Sequence, residues 1–152
     1  MASFLDLSSN WSLHSIPAAF VLALLPNFYA SFAAGKNYDL ANPRKTEEHL
    51  AKDTTLSKQQ VNRILRAKAA ANNGLETIGL YAAGVVAANA AKVPVETLNK
   101  LSLFYLGSRL VYNFVYIFLQ DNRKFAPVRS LVWMAGIGAI FSFFIKAGNA
   151  LY

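Results

Sequence analysis

Arg109 stands near the middle of a long apolar run, with Tyr105, Tyr112 and Tyr116 at −4, +3 and +7 from it. On a helix those offsets place all four side chains on one face. A guanidinium at the centre of a bilayer costs about 2.5–3.5 kcal/mol on insertion scales, so it needs a partner or a water-filled cavity. A second set lies upstream: Asn73 and Glu76 are three residues apart, and Arg66 precedes Asn73 by seven. Glu76 falls where charged turns give way to apolar ones, and a carboxylate there can pair with Arg109 or with a ligand ammonium. Arg129 and Ser130 follow Pro127 at the start of the last apolar run, where the donors of a helix N-terminus favour an anion. Each set also has a plain structural explanation. The tyrosines can form a ladder between helices, Glu76 and Arg109 a bridge, and Arg129 can simply mark a membrane edge.

The elements that must carry these residues are apolar blocks of about 20 residues separated by charged connectors, the pattern of an all-α integral membrane protein. Four spans are expected, at about 13–34, 70–92, 97–119 and 128–151, in a single domain over 1–152. Pro17 and Pro26 fall inside the first. Pro26 is expected to kink it, with a neighbouring helix satisfying the carbonyl that the proline frees. The connector 35–57 is polar, with a turn at Asn42–Pro43. Ser57 and Gln60 read as a capping box opening a second helix that runs to about Lys92, where Val93–Pro94 stops it. That helix is about 50 Å long, more than a hydrocarbon core of about 30 Å, so its first turns project into water. Its Ala- and Gly-rich part, Leu75 to Ala91, suits an interior position where backbones approach closely. Short connectors make successive helices antiparallel neighbours, which gives a four-helix bundle.

Composition excludes several classes. Hydrophobic residues make up 55% and charged residues 15% of the chain, against about 25% charged in soluble domains. The net charge of +7 comes without a basic helix or interleaved aromatics, so no nucleic-acid partner is expected. Eleven Lys or Arg lie in the loops after spans one and three, against Lys92 and Lys100 on the opposite side. The large loops are therefore expected in the cytosol and the termini in a lumen. The first ten residues carry Asp6 and no positive side chain, so no cleavable signal is expected. There are no cysteines, and His14 and His49 stand alone, so no metal site is expected.

Three segments in order, Arg66-Ala-Lys-Ala-Ala-Ala-Asn72-Asn73-Gly-Leu-Glu76, Arg109-Leu-Val-Tyr112-Asn-Phe-Val-Tyr116 and Pro127-Val-Arg129-Ser130, resemble the MAPEG family, the membrane-associated proteins in eicosanoid and glutathione metabolism. The resemblance runs from about residue 15 to 150. It implies a four-helix bundle assembled as a homotrimer in the endoplasmic reticulum or a bacterial inner membrane. It also implies glutathione as co-substrate, bound between subunits near the cytosolic side, and a hydrophobic second substrate arriving from the lipid. Asn73 and Glu76 match family positions that contact glutathione, with Arg66 a turn before the family's basic cluster. Arg109, Tyr112 and Tyr116 match the third-span positions of that site, and Arg129 and Ser130 those proposed to activate the thiol. Where eicosanoid-type members carry arginine or histidine, this chain has Ala69, Ala71 and Asn72. Its alanine-rich version is similar to the bacterial and fungal branch.

Three functions are compatible with these residues. The first is a glutathione-dependent transferase or peroxidase acting on a hydrophobic electrophile through a bound thiolate. The second is a glutathione-independent isomerase or cyclase that uses Arg129, Glu76 or a tyrosine as general acid or base on a lipophilic intermediate. The third is a membrane scaffold whose polar stripe serves packing alone.

Overall fold

The computed structural model describes residues 9–151, and among these there is no strand. Four long helices and one short one account for most of it: α1 (Ser15–Ala34), α2 (Thr46–Lys52), α3 (Lys58–Ala90), α4 (Val95–Ile117) and α5 (Ala126–Ala150). Local chemistry sets their ends. Ser57 Oγ accepts from the Gln60 amide while Gln60 Oε1 accepts from the Ser57 amide, closing the expected capping box at the start of α3. Lys92 takes a positive φ of 57° in the turn that ends α3, and Pro94 caps α4. Pro127 sits in the first turn of α5, where its missing N–H leaves no bond unmade.

Pro26 lies inside α1 without interrupting it. The carbonyl it frees, that of Leu22, accepts from Asn113 Nδ2 of α4 at 2.9 Å. A neighbouring helix thus supplies the bond that proline cannot, as bilayer burial of a backbone carbonyl demands.

Small residues face inward and large apolar ones outward. Along α1, Ala19, Ala23, Ala30 and Ala34 are buried, while Phe20, Val21, Leu25, Phe28 and Phe32 are exposed. Gly74 of α3 meets Ala23 so closely that a Cβ on it would come within 2.7 Å of the alanine's own. Pairings of Ser15 with Tyr81 and of Ala23 with Gly74 make α1 and α3 antiparallel. Thr77 with Tyr105 and Arg66 with the Ile117 carbonyl do the same for α3 and α4, and Arg109 with Gly136 and Tyr116 with Arg129 for α4 and α5. In the core Tyr81 stacks on Tyr105, centroids 3.8 Å apart, and Phe143 meets Tyr81 edge-on.

Among the described residues three helical segments are long and apolar enough to cross a membrane: Ser12–Asn37, Val95–Asp121 and Arg123–Ala150. α3 is the longest helix, yet it is not among them. Its apolar part is rich in alanine and glycine, which lets it pack against α1, α4 and α5, with Tyr81 and Val85 buried among them. The polar connector contains the short helix α2, docked by Leu50 against Ala30, Ala34, Ile64 and Ala67.

Candidate functional site

α4 places Arg109, Tyr112 and Tyr116 on one face, as their spacing requires. Arg109 is only 6% exposed. One of its terminal nitrogens donates to Asn73 Oδ1 of α3 at 3.1 Å. Its guanidinium lies over the Tyr112 ring, 4.6 Å from the centroid, and 5.9 Å from that of Tyr105. Gly136 of α5 makes room for it: a Cβ there would stand 3.0 Å from Ser108 Oγ and 3.4 Å from the Arg109 guanidinium. The Nε of Arg109 is buried with no hydrogen-bond partner among the described residues.

Above this buried cation opens a cleft of about 300 Å³ lined by Asn73, Tyr112, Arg129, Ser130, Trp133 and Met134. Such a volume is at the lower end of small-molecule sites. The Arg129 guanidinium rests over the Tyr116 ring at 4.8 Å, and Tyr116 meets Tyr112 edge-on at 5.6 Å. The sequence set Asn73, Arg109, Tyr112, Tyr116, Arg129 and Ser130 is therefore one continuous group drawn from α3, α4 and α5. Among the described residues no carboxylate lines the cleft, so Arg129 gives it a positive charge beside the apolar Trp133 and Met134. That combination has the chemistry to hold an anion next to a greasy group.

Two residues take other places. The Glu76–Arg109 bridge suggested by sequence is not formed: Glu76 is exposed on α3, and Asn73 holds the arginine instead. Glu76 lies one turn beyond Asn73 on α3 and stays at the exposed surface, while the Asn73 amide oxygen accepts from Arg109. Arg66 pairs with Asp121 and donates to the Ile117 carbonyl at 2.9 Å, clamping the ends of α3 and α4. Tyr105 belongs to the stripe by spacing, but its hydroxyl faces Thr77 at 3.4 Å and its ring the core.

Trp133 and Met134 went unnoticed in the sequence. Their signal is there, since each follows Arg129 or Ser130 by four residues and so shares its face. A larger polar cavity of about 470 Å³ lies elsewhere, between α1, α3 and the connector, with Asn27, Arg44, Glu47, Lys68 and Asn72 among its lining. Lys68 pairs with Glu47 there at 3.2 Å. Among the described residues no group of His, Cys, Asp and Glu has the makings of a metal site.

Comparison with known proteins adds one positive finding. The model of the MAPEG family matches residues 16–149. No curated protein and no solved structure matches the chain.

Proposed function

We propose, from the premise that the chain belongs to the MAPEG family, that it is a membrane-bound glutathione-dependent transferase or peroxidase acting on a hydrophobic electrophile. Three apolar helices and membership of that membrane family make it an integral membrane protein. The observation that carries the enzymatic reading is a carboxylate-free cleft lined by Arg129, behind which a buried Arg109, its Nε unpartnered among the described residues, contacts the lining residues Asn73 and Tyr112. A purely structural arginine in a membrane would be expected to satisfy its donors within the protein.

In this reading glutathione lies in the cleft with its thiol at Arg129 and Ser130. A free thiol has a pKa near 8.5 and is only a few per cent ionised at neutral pH. The Arg129 charge lowers that value, and the Ser130 hydroxyl donates to the sulfur. The thiolate attacks the electrophilic carbon, or the peroxide oxygen, of a substrate lying against Trp133 and Met134. The departing oxygen or leaving group then takes a proton from solvent. Arg109 and Asn73 hold a glutathione carboxylate, Tyr112 and Tyr116 shape the pocket, and the exposed Glu76 reaches the ammonium from the rim. Arg66, engaged by Asp121, acts on the site through the placement of α3 rather than by contact.

The same reading places α3 across the membrane as a fourth span, in a four-helix bundle that assembles as a homotrimer with glutathione between subunits. The excess of basic residues at the connector side supports cytosolic loops and lumenal termini, with the endoplasmic reticulum as the membrane. Calorimetry on the detergent-purified protein tests it. Glutathione should bind with measurable heat at millimolar concentration, and no heat or competition at that level rejects the proposal.

One observation favours a second reading. Ala69, Ala71 and Asn72 bring no charge to the cleft, and Asn72 lines the other cavity. A glutathione-independent isomerase or cyclase would use the Arg129 cleft on a lipophilic intermediate, and turnover unchanged in the absence of any thiol would identify it.

A further inference from the structure

A different face of α4 borders a second site. Leu22, Leu25 and Tyr29 of α1, Leu110 and Phe114 of α4 and Phe118 just beyond its end line an almost wholly apolar groove of about 260 Å³. Leu25, Leu110 and Phe114 are each about half exposed, so the groove opens outward rather than into the helix core. Asn113, also in its lining, has its amide engaged by the Leu22 carbonyl. At the connector end the groove closes on Phe118, which Tyr29 meets edge-on at 5.6 Å. Over the Phe118 ring, 5.7 Å from its centroid, lies the Arg63 guanidinium.

Charge at that end is lopsided. Arg63 and Arg66 of α3 share the single carboxylate of Asp121, which also accepts from Gln59. One positive charge is left over, and exposed Arg123 and Lys124 follow Asp121 in the chain. An apolar groove of that size, ending under surplus guanidinium charge, has the polarity that suits an anionic amphiphile. We propose that the groove between α1 and α4 is a binding site for an anionic membrane phospholipid. One acyl chain lies against Leu25, Leu110 and Phe114, and the headgroup phosphate meets Arg63. The site is separate from the Arg129 cleft, which α4 faces with Tyr112 and Tyr116, and it does not depend on what that cleft binds.

Native mass spectrometry of the full chain, purified with an equimolar mixture of phosphatidylglycerol and phosphatidylcholine of identical acyl chains, tests this. The wild type should retain phosphatidylglycerol over phosphatidylcholine by about fivefold, the equivalent of ~1 kcal/mol for one cation at the membrane surface. Arg63→Gln, which leaves Arg66 and Gln59 on Asp121, should abolish the preference. Leu110→Trp, at a position already exposed to lipid, should fill the slot and lower retention of both lipids. Inorganic phosphate in excess should leave the adduct in place. Equal retention of the two lipids by the wild type, a preference that survives both substitutions, or displacement by phosphate alone would overturn the proposal.

Discussion

Asn113→Leu probes how α1 survives its internal proline. In the wild type the Leu22 carbonyl has lost its helical donor to Pro26 and accepts from Asn113 Nδ2 at 2.9 Å. Interhelical hydrogen bonds in membranes are worth ~0.6 kcal/mol on average and up to ~1.7. This carbonyl has no donor within its own helix, so the loss should fall at the upper end, about 1.5 kcal/mol. Pro26→Ala restores an amide four residues beyond Leu22, and in that background the carbonyl no longer needs α4. There Asn113→Leu should cost under about 0.5 kcal/mol, a coupling of ~1 kcal/mol between the two sites. The assay is reversible unfolding in mixed micelles of dodecyl maltoside and SDS, followed by helicity, for the four members of the cycle. An equal cost of Asn113→Leu in both backgrounds would refute the idea that α4 completes the bonding of α1.

Gly74→Ala sets a Cβ 2.7 Å from that of Ala23 and 3.0 Å from its Cα; the overpacking should cost ~1–3 kcal/mol in the same unfolding assay, and an unchanged stability would contradict the close α1–α3 contact. Gly136→Val crowds Ser108 and the Arg109 guanidinium, so it should weaken glutathione binding by about tenfold, ~1.4 kcal/mol, with helicity retained; full affinity by calorimetry would remove Arg109 from the site. In the connector, Asp53 accepts from Thr55, Leu56 and Asn37, and these bonds hold its carboxyl well below the usual carboxylate range. Because the folded-state value is depressed, its contribution is complete above the unfolded value of about 3.9 and is lost as pH falls through the lower folded one. Pepsin cleavage of the connector should therefore rise on acidification below about pH 4, and Asp53→Asn should flatten that rise; identical profiles for the two proteins would contradict it.

Much of the scaffold was legible because it rests on local rules. The capping box at Ser57, the stop at Pro94 and the need for a donor at Leu22 each follow from backbone groups a few residues apart. The stripe Arg109, Tyr112, Tyr116 was legible for the same reason, since helical periodicity alone puts it on one face. What escaped depends on tertiary partners. Only docking of Leu50 on α1 and α3 makes a helix of the seven residues Thr46–Lys52, for so short a segment is marginal alone. Arg66 and Glu76 carry charges that spacing could assign to a ligand, but Asp121, 55 residues further on, claims the first. Asn73 takes the place at Arg109 offered to the second. Spacing alone puts Trp133 and Met134 on the face of Arg129 and Ser130, but that they wall a cleft with Asn73 and Tyr112 depends on how α5 packs against α3 and α4.

The ionisation of bound glutathione, followed by ultraviolet absorbance of the thiolate during pH titration, goes most directly to the proposed chemistry. With wild-type protein the bound thiol should titrate at least one unit below its free value of about 8.5, and Arg129→Ala should return it to that value while glutathione still binds. A bound thiol that stays protonated at neutral pH in the wild type, or titrates identically in the two proteins, would contradict a thiolate held by Arg129.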